Sequence, residues 1–285
     1  MKRGDENMNK KRFGLPVLAA SAMLFMALSG CSGPVASIVE GIETSLIGPK
    51  SASGGKNTEE RFFHADEFDS IFIRSEAMEV YLDSSPNDLA AIQLITDKAI
   101  DNPFEIEASI ENGKLHLSVD EKTKIHFFDR AQNGERKLII SLPEKRYNEV
   151  SIRNEFGSVD ATDISANRVE IKLSAGDIRL SGVSGELALE TETGTIEAEG
   201  VTLDQNIFTR TSVGDIELRF SAPPDSGSIR ARSTLGDVMI DIEGVQYSVN
   251  SKTQKAGRFA SDGHLLEAVS ETGSIRVGIV SQLKH

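Results

Sequence analysis

Few of the 285 residues have both the type and the spacing to do covalent chemistry. The five histidines, His64, His116, His126, His264 and His285, show no metal-ligand spacing such as HExxH. There is no GxSxG elbow and no glycine loop built for phosphate. Carboxylates are plentiful. Outward ones such as Glu170, Glu190 and Glu197 could serve calcium or acid–base work only if the fold brings them into line. The expectation is a chain with no catalytic residue, no metal site and no cofactor, hence not an enzyme. One residue stands apart. Cys31 is the only cysteine, so it has no intramolecular disulfide partner, and it closes an apolar run.

That run begins after Lys10, Lys11 and Arg12 and extends from Phe13 to Ala27. It is short for a membrane span and suited to a signal peptide. Met8 offers a start as good as Met1, because MNKKR is the more typical basic opening. Leu28-Ser29-Gly30-Cys31 resembles the bacterial lipobox. The resemblance implies that residues 1–30 are a lipoprotein signal peptide. It also implies that the Cys31 thiol receives a diacylglycerol and that the bond before it is cut. Acyl chains such as palmitate would hold the protein to the extracytoplasmic face of a cell membrane, at about 0.8 kcal/mol per buried methylene. Residues 31–60, rich in Gly, Ser, Pro and Ala, read as a flexible tether.

The rest of the chain, residues 61–285, must supply whatever surface is held out from that anchor. Its organising feature is a repeat. Around Gly176, apolar residues alternate on both sides: Val169, Ile171 and Leu173 before, Ile178 and Leu180 after. Gly157, Gly194, Gly214, Gly236 and Gly273 are corners of the same kind. Alternation is the period of a strand with one buried face, and glycine suits a sharp corner between two strands. A repeat of roughly 20 residues that cannot bury its own face predicts stacking. The expected fold is all-β: a parallel β-solenoid, or β-helix-like coil, regular over 150–280 and less regular over 61–149. An antiparallel β-sandwich is the alternative. The long step from Gly236 to Gly273 predicts one degenerate copy near Tyr247, Val249, Gly257 and Phe259.

The residue after each corner is Ser158, Asp177, Thr195, Asp215, Asp237 or Ser274. This mixture suits side chains that hydrogen-bond turn backbone better than it suits a calcium repeat. In the N-terminal half, Met78 holds a corner flanked by Ile71, Ile73, Ser75, Val80 and Leu82. Asn112-Gly113 marks either another coil or a hairpin. Lys137 to Leu142 predicts a further strand, and these strands should cap one end of the coil.

Removing the leader's five basic and two acidic residues leaves 26 Lys+Arg and 42 Asp+Glu, a net charge of about −16. Such a balance argues against nucleic acid. It leaves an envelope protein, a glycan or a cationic peptide as partners. No Trp and only three Tyr are present, so no aromatic sugar platform is visible.

The S-x-G-D-I-x-L repeat, with Lys137-Leu-Ile-Ile-Ser-Leu-Pro143 and Val150-Ser-Ile152, resembles the DUF4097 family of bacterial adhesin-type proteins over about Phe68 to Val280. The resemblance implies a β-strand repeat on an envelope-attached protein, some relatives being linked to envelope stress. It carries over no catalytic or ligand residue. The expected function is a lipid-anchored, non-enzymatic surface for interaction; the alternative is a binder of cationic peptides through an acidic face, with a carbohydrate-active enzyme ranked last.

Overall fold

In the computed structural model, which describes residues 55–97, 104–121 and 134–280, every regular element is a β-strand. The N-terminal strands are β1 (Lys56–His64), β2 (Ser70–Ala77), β3 (Glu79–Ser85), β4 (Leu89–Asp97), β5 (Phe104–Glu111), β6 (Lys114–Glu121) and β7 (Arg136–Pro143). The repeat follows as β8 (Arg146–Phe156), β9 (Val159–Thr162), β10 (Ser165–Ala175), β11 (Ile178–Ser181), β12 (Ser184–Thr193), β13 (Ile196–Val201), β14 (Ile207–Val213), β15 (Ile216–Phe220), β16 (Ser226–Leu235) and β17 (Val238–Ile240). Then come β18 (Gln246–Asn250), β19 (Gln254–Arg258), β20 (Ser261–Thr272) and β21 (Ile275–Ile279).

They form two large mixed sheets. The first runs β1-β4-β7-β3-β9-β11-β13-β15-β21-β17, and the second β18-β19-β16-β20-β14-β12-β10-β8-β2-β6-β5. The Met78 corner and each corner glycine of the repeat join a strand of the second sheet to a strand of the first. Equivalent strands of successive copies pair in parallel, with matching residues in register. The pairing follows from the period of two. Shifting a strand by one residue would turn its whole apolar set to water.

The core lies between the sheets as ladders of aliphatic side chains. One runs through Val80, Val159, Ile178, Ile196, Ile216, Ile275 and Val238, each buried and each the register partner of the next. Burying one such side chain stabilises by roughly 1.5–3 kcal/mol relative to leaving it exposed. The ladder, not local propensity, therefore holds the layers together.

Two sequence expectations need correction. The Gly273 layer does not end the stack. Its strands β20 and β21 insert between the Gly214 layer and the Gly236 layer, so Ile216 pairs with Ile275 and Ile275 with Val238. The segment around Tyr247 and Gly257 is not a degenerate copy. It is the antiparallel hairpin β18–β19, hung on β16. Reading the copies in chain order assumed that neighbours in sequence are neighbours in space, and here a return hairpin breaks that rule.

The ambiguous Asn112-Gly113 corner is also a hairpin, joining β5 and β6. Asn112 and Gly113 have φ of 51° and 74°, the left-handed pair that suits the twist of a two-residue hairpin turn. At this end β1, β4 and β5 pair antiparallel with their neighbours and flank the parallel stack.

Candidate functional site

Cys31 and the Leu28-Ser29-Gly30 that precede it lie outside the described residues, as do His126 and His285. The corner glycines are all placed. Gly157, Gly176, Gly194, Gly214, Gly273 and Gly236 stand one above another, in that order. Their φ values run from 108° to 157°. A Cβ on Gly194 would also overlap the carbonyl oxygen of Gly176 beneath it. Backbone angle and close approach thus both demand glycine. Met78 begins the column with its side chain buried, and its corner is not among the positive-φ residues.

A second column backs the first. The residue three places before a corner points inward and donates to the carbonyl of the corner residue one layer away. Asn154 Nδ2 donates to Met78 O at 2.8 Å, Thr191 Oγ1 to Gly176 O at 3.0 Å, and Thr211 Oγ1 to Gly194 O at 3.0 Å. Ser270 Oγ donates to Gly214 O at 3.0 Å and Ser233 Oγ to Gly273 O at 2.7 Å. Where Leu173 replaces the donor, Asn154 Nδ2 reaches Gly157 O at 3.3 Å instead. The residues after the corner act outside this column. Asp177 Oδ1 accepts from Thr195 N at 2.9 Å, and Asp215 Oδ1 from Ser274 N at 2.6 Å. Each carboxylate holds the backbone of the neighbouring layer's corner rather than that of its own.

The outer faces differ in how their charges are arranged. On the first sheet, Arg179 lies 3.6 Å from Asp160, 2.6 Å from Asp177 and 4.0 Å from Glu197. Arg219 lies 2.6 Å from Glu217 and 3.7 Å from Glu199. Hydrogen bonding and attraction from Glu217 raise the Arg219 pKa further above its ordinary value. Five carboxylates surround two guanidinium groups, so this face is acidic but laced with opposite charge.

The second sheet carries a short basic run among its carboxylates. Arg74, Arg153 and Lys172 sit side by side in one row, each four residues before its corner. Glu170 is held below the usual carboxylate range, chiefly by the hydrogen bond from Lys172 and then by Arg168, against the opposing effect of burial. Arg153 lies 3.9 Å from Glu170. Arg74 has no ion pair among the described residues. One row over, the rings of Phe72 and His116 stack at 5.2 Å and 17°, with Lys114 Nζ 5.2 Å from the Phe72 centroid. Phe72, Arg74, His116, Arg153 and Glu170 line a trough of about 590 Å³ across β5, β6, β2, β8 and β10.

The carboxylates Glu170, Glu190 and Glu197 do not come together. Glu170 pairs with Ser151 and Ala188, Glu190 with Lys172 and Arg210, and Glu197 is on the other sheet. Among the described residues no group of three His, Cys, Asp or Glu could hold a metal ion. The basic row and the inward donors were missed from sequence, although both recur at fixed distances from the corners. Aligning the copies on their glycines exposes them.

Residues 147–277 match the family model described as Toastrack DUF4097. No curated protein matches the chain. Among solved structures, a candidate cell adhesion protein from Clostridium sporogenes is 12% identical, covering 78% of this chain and 99% of its own, with a TM-score of 0.46. A candidate adhesin from Bacteroides fragilis is 17% identical, over 77% and 96% of the two chains, with a TM-score of 0.41. A candidate lipid binding protein from Parabacteroides distasonis is 13% identical over 77% and 96%, with a TM-score of 0.33.

Proposed function

With residues 147–277 matching the family model described as Toastrack DUF4097, we propose that the chain is a non-enzymatic, lipid-anchored envelope protein whose β-solenoid displays a binding surface. The observation that carries this reading is the parallel, in-register pairing of its layers. Such pairing repeats outward side chains about every 4.8 Å along the stack, so a surface ligand meets fixed rows of groups. The Leu28-Ser29-Gly30-Cys31 motif supplies the anchor, and the segment after it supplies the reach. Cell fractionation tests the anchor. The wild-type chain should partition with membranes and Cys31→Ser should not. A Cys31→Ser chain that stays in the membrane fraction would overturn the anchoring.

A second reading rests on the first sheet, where Asp160, Asp177, Glu197, Glu199 and Glu217 surround Arg179 and Arg219. That face suits a cationic peptide. Binding of an oligolysine should weaken steeply with salt, because exposed charges are screened within about 8–10 Å at physiological ionic strength. Binding that ignores salt would remove this reading.

A further inference from the structure

We propose that the trough on the second sheet binds an acidic sugar, its carboxylate held between Arg74 and Arg153 and its ring laid against the Phe72–His116 pair. The proposal rests on the display reading above and names the ligand class.

Charge is the first ground. Like charges directly opposite on neighbouring strands destabilise a sheet. Elsewhere the fold resolves such adjacency from within. Glu197 and Glu217 face each other, but Arg179 reaches one and Arg219 the other. In the trough row Arg74 pairs with Arg153, and Arg153 with Lys172. Glu190 stands in the row itself beside Lys172, and Glu170 stands to one side, 3.9 Å from Arg153 and 3.0 Å from Lys172. Arg74 is exposed and has no counter-ion among the described residues. Lys172 is thus met by carboxylates from within, whereas Arg74 and the loosely held Arg153 leave their end of the row open to an anion from outside.

Shape and chemistry narrow that anion. Two guanidinium groups on adjacent strands stand about 4.8 Å apart at their backbones, and planar forks suit a carboxylate approached from two sides. The stacked rings of Phe72 and His116 lie one row away on the same face, as a two-ring aromatic step. The step fits the apolar face of a sugar ring. Glu107 and Glu149 also line the trough and supply acceptors for hydroxyl groups. A volume of about 590 Å³ falls within the range of small-molecule sites, roughly 300–1,000 Å³. It accommodates a short oligosaccharide segment.

Titration calorimetry of the protein with an oligogalacturonide tests the site, with a neutral malto-oligosaccharide of equal length as control. The acidic sugar should bind, less tightly as salt rises, and the neutral one should not. The double variant Arg74→Ala, Arg153→Ala should lose about tenfold or more in affinity, because charge-assisted hydrogen bonds are removed. Arg74→Lys with Arg153→Lys keeps the charge but loses the forks and should fall in between. Phe72→Ala should weaken binding of the acidic sugar severalfold. Arg210→Ala, on the same sheet but beyond the trough, should change nothing. Arg74 and Arg153 are exposed, so the unfolding midpoint of their variants should match wild type. No binding of the acidic sugar, equal binding of the neutral one, or an unaltered double arginine variant would each overturn the proposal. None of these results bears on the membrane fractionation of Cys31→Ser, so the two readings fail separately.

Discussion

Thr191 donates its hydroxyl to the carbonyl oxygen of Gly176, 3.0 Å away in the neighbouring layer, and the Thr191 side chain is almost wholly buried. The bond matters because the corner carbonyl already has the next layer's glycine close above it. Thr191→Val keeps the shape and removes the donor. It should cost about 1–3 kcal/mol, the penalty of a buried acceptor left unsatisfied. Thr191→Ser should cost less. Denaturant unfolding midpoints compare the two, and a Val variant as stable as wild type would deny the column any energetic role.

Substituting a corner glycine tests the column directly. At Gly194 (φ 149°) an added methyl group meets the Gly176 carbonyl, and the backbone angle is one that L residues avoid. Strain and overpacking each cost about 1–3 kcal/mol, so Gly194→Ala should lose several kcal/mol. Gly244 also has a positive φ, 82°, but nothing lies within 4 Å of its added Cβ. Gly244→Ala should therefore cost only the strain. Equal losses at the two positions would show that stacking is irrelevant.

The order of layers makes truncation informative. A chain ending at Gly244 lacks β20 and β21 and leaves the Gly214 and Gly236 layers without their shared partner. Amide exchange should then be fast across β16 and β17 and remain slow in β10 and β12. Retained protection at Ile229 and Val238 would mean that the Gly236 layer can dock on the Gly214 layer by itself.

Glu170 gives a pH test. Lys172 and Arg168 hold its folded pKa below the ordinary 4.5. The unfolded state then binds the proton more readily than the folded one, so the contribution to stability is present above 4.5 and is lost as pH falls through the lower folded value. The gap in unfolding midpoint between wild type and Glu170→Gln should be open at neutral pH and close in acid. A gap that stays constant would remove the ionised Glu170 from the account.

Much of the scaffold is legible in the residues themselves. Alternation around Gly157, Gly176, Gly194 and Gly214 gives the strands, the inward faces and the register of the ladder. Gly273 and Gly236 are legible as corners but not in their spatial order, because pairing is set by the ends of the stack and by a hairpin whose partner is distant in sequence. The basic row was hidden by averaging. Arg74, Arg153 and Lys172 are far apart in a chain whose overall charge is negative, and only stacking turns them into neighbours. The Phe72–His116 step was invisible for the same reason: neither residue is part of an aromatic cluster until β2 pairs with β6.

The inserted Gly273 layer bears on how such a protein can be made and can change. During synthesis β16 and β17 emerge before the strands that separate them from β14 and β15, so their final seat stays empty until the chain has turned back. Lengthening by duplication is similarly constrained. From Gly157 to Gly214 an extra unit would simply widen the ladder, whereas one added beyond Gly214 would have to be threaded past a finished closure.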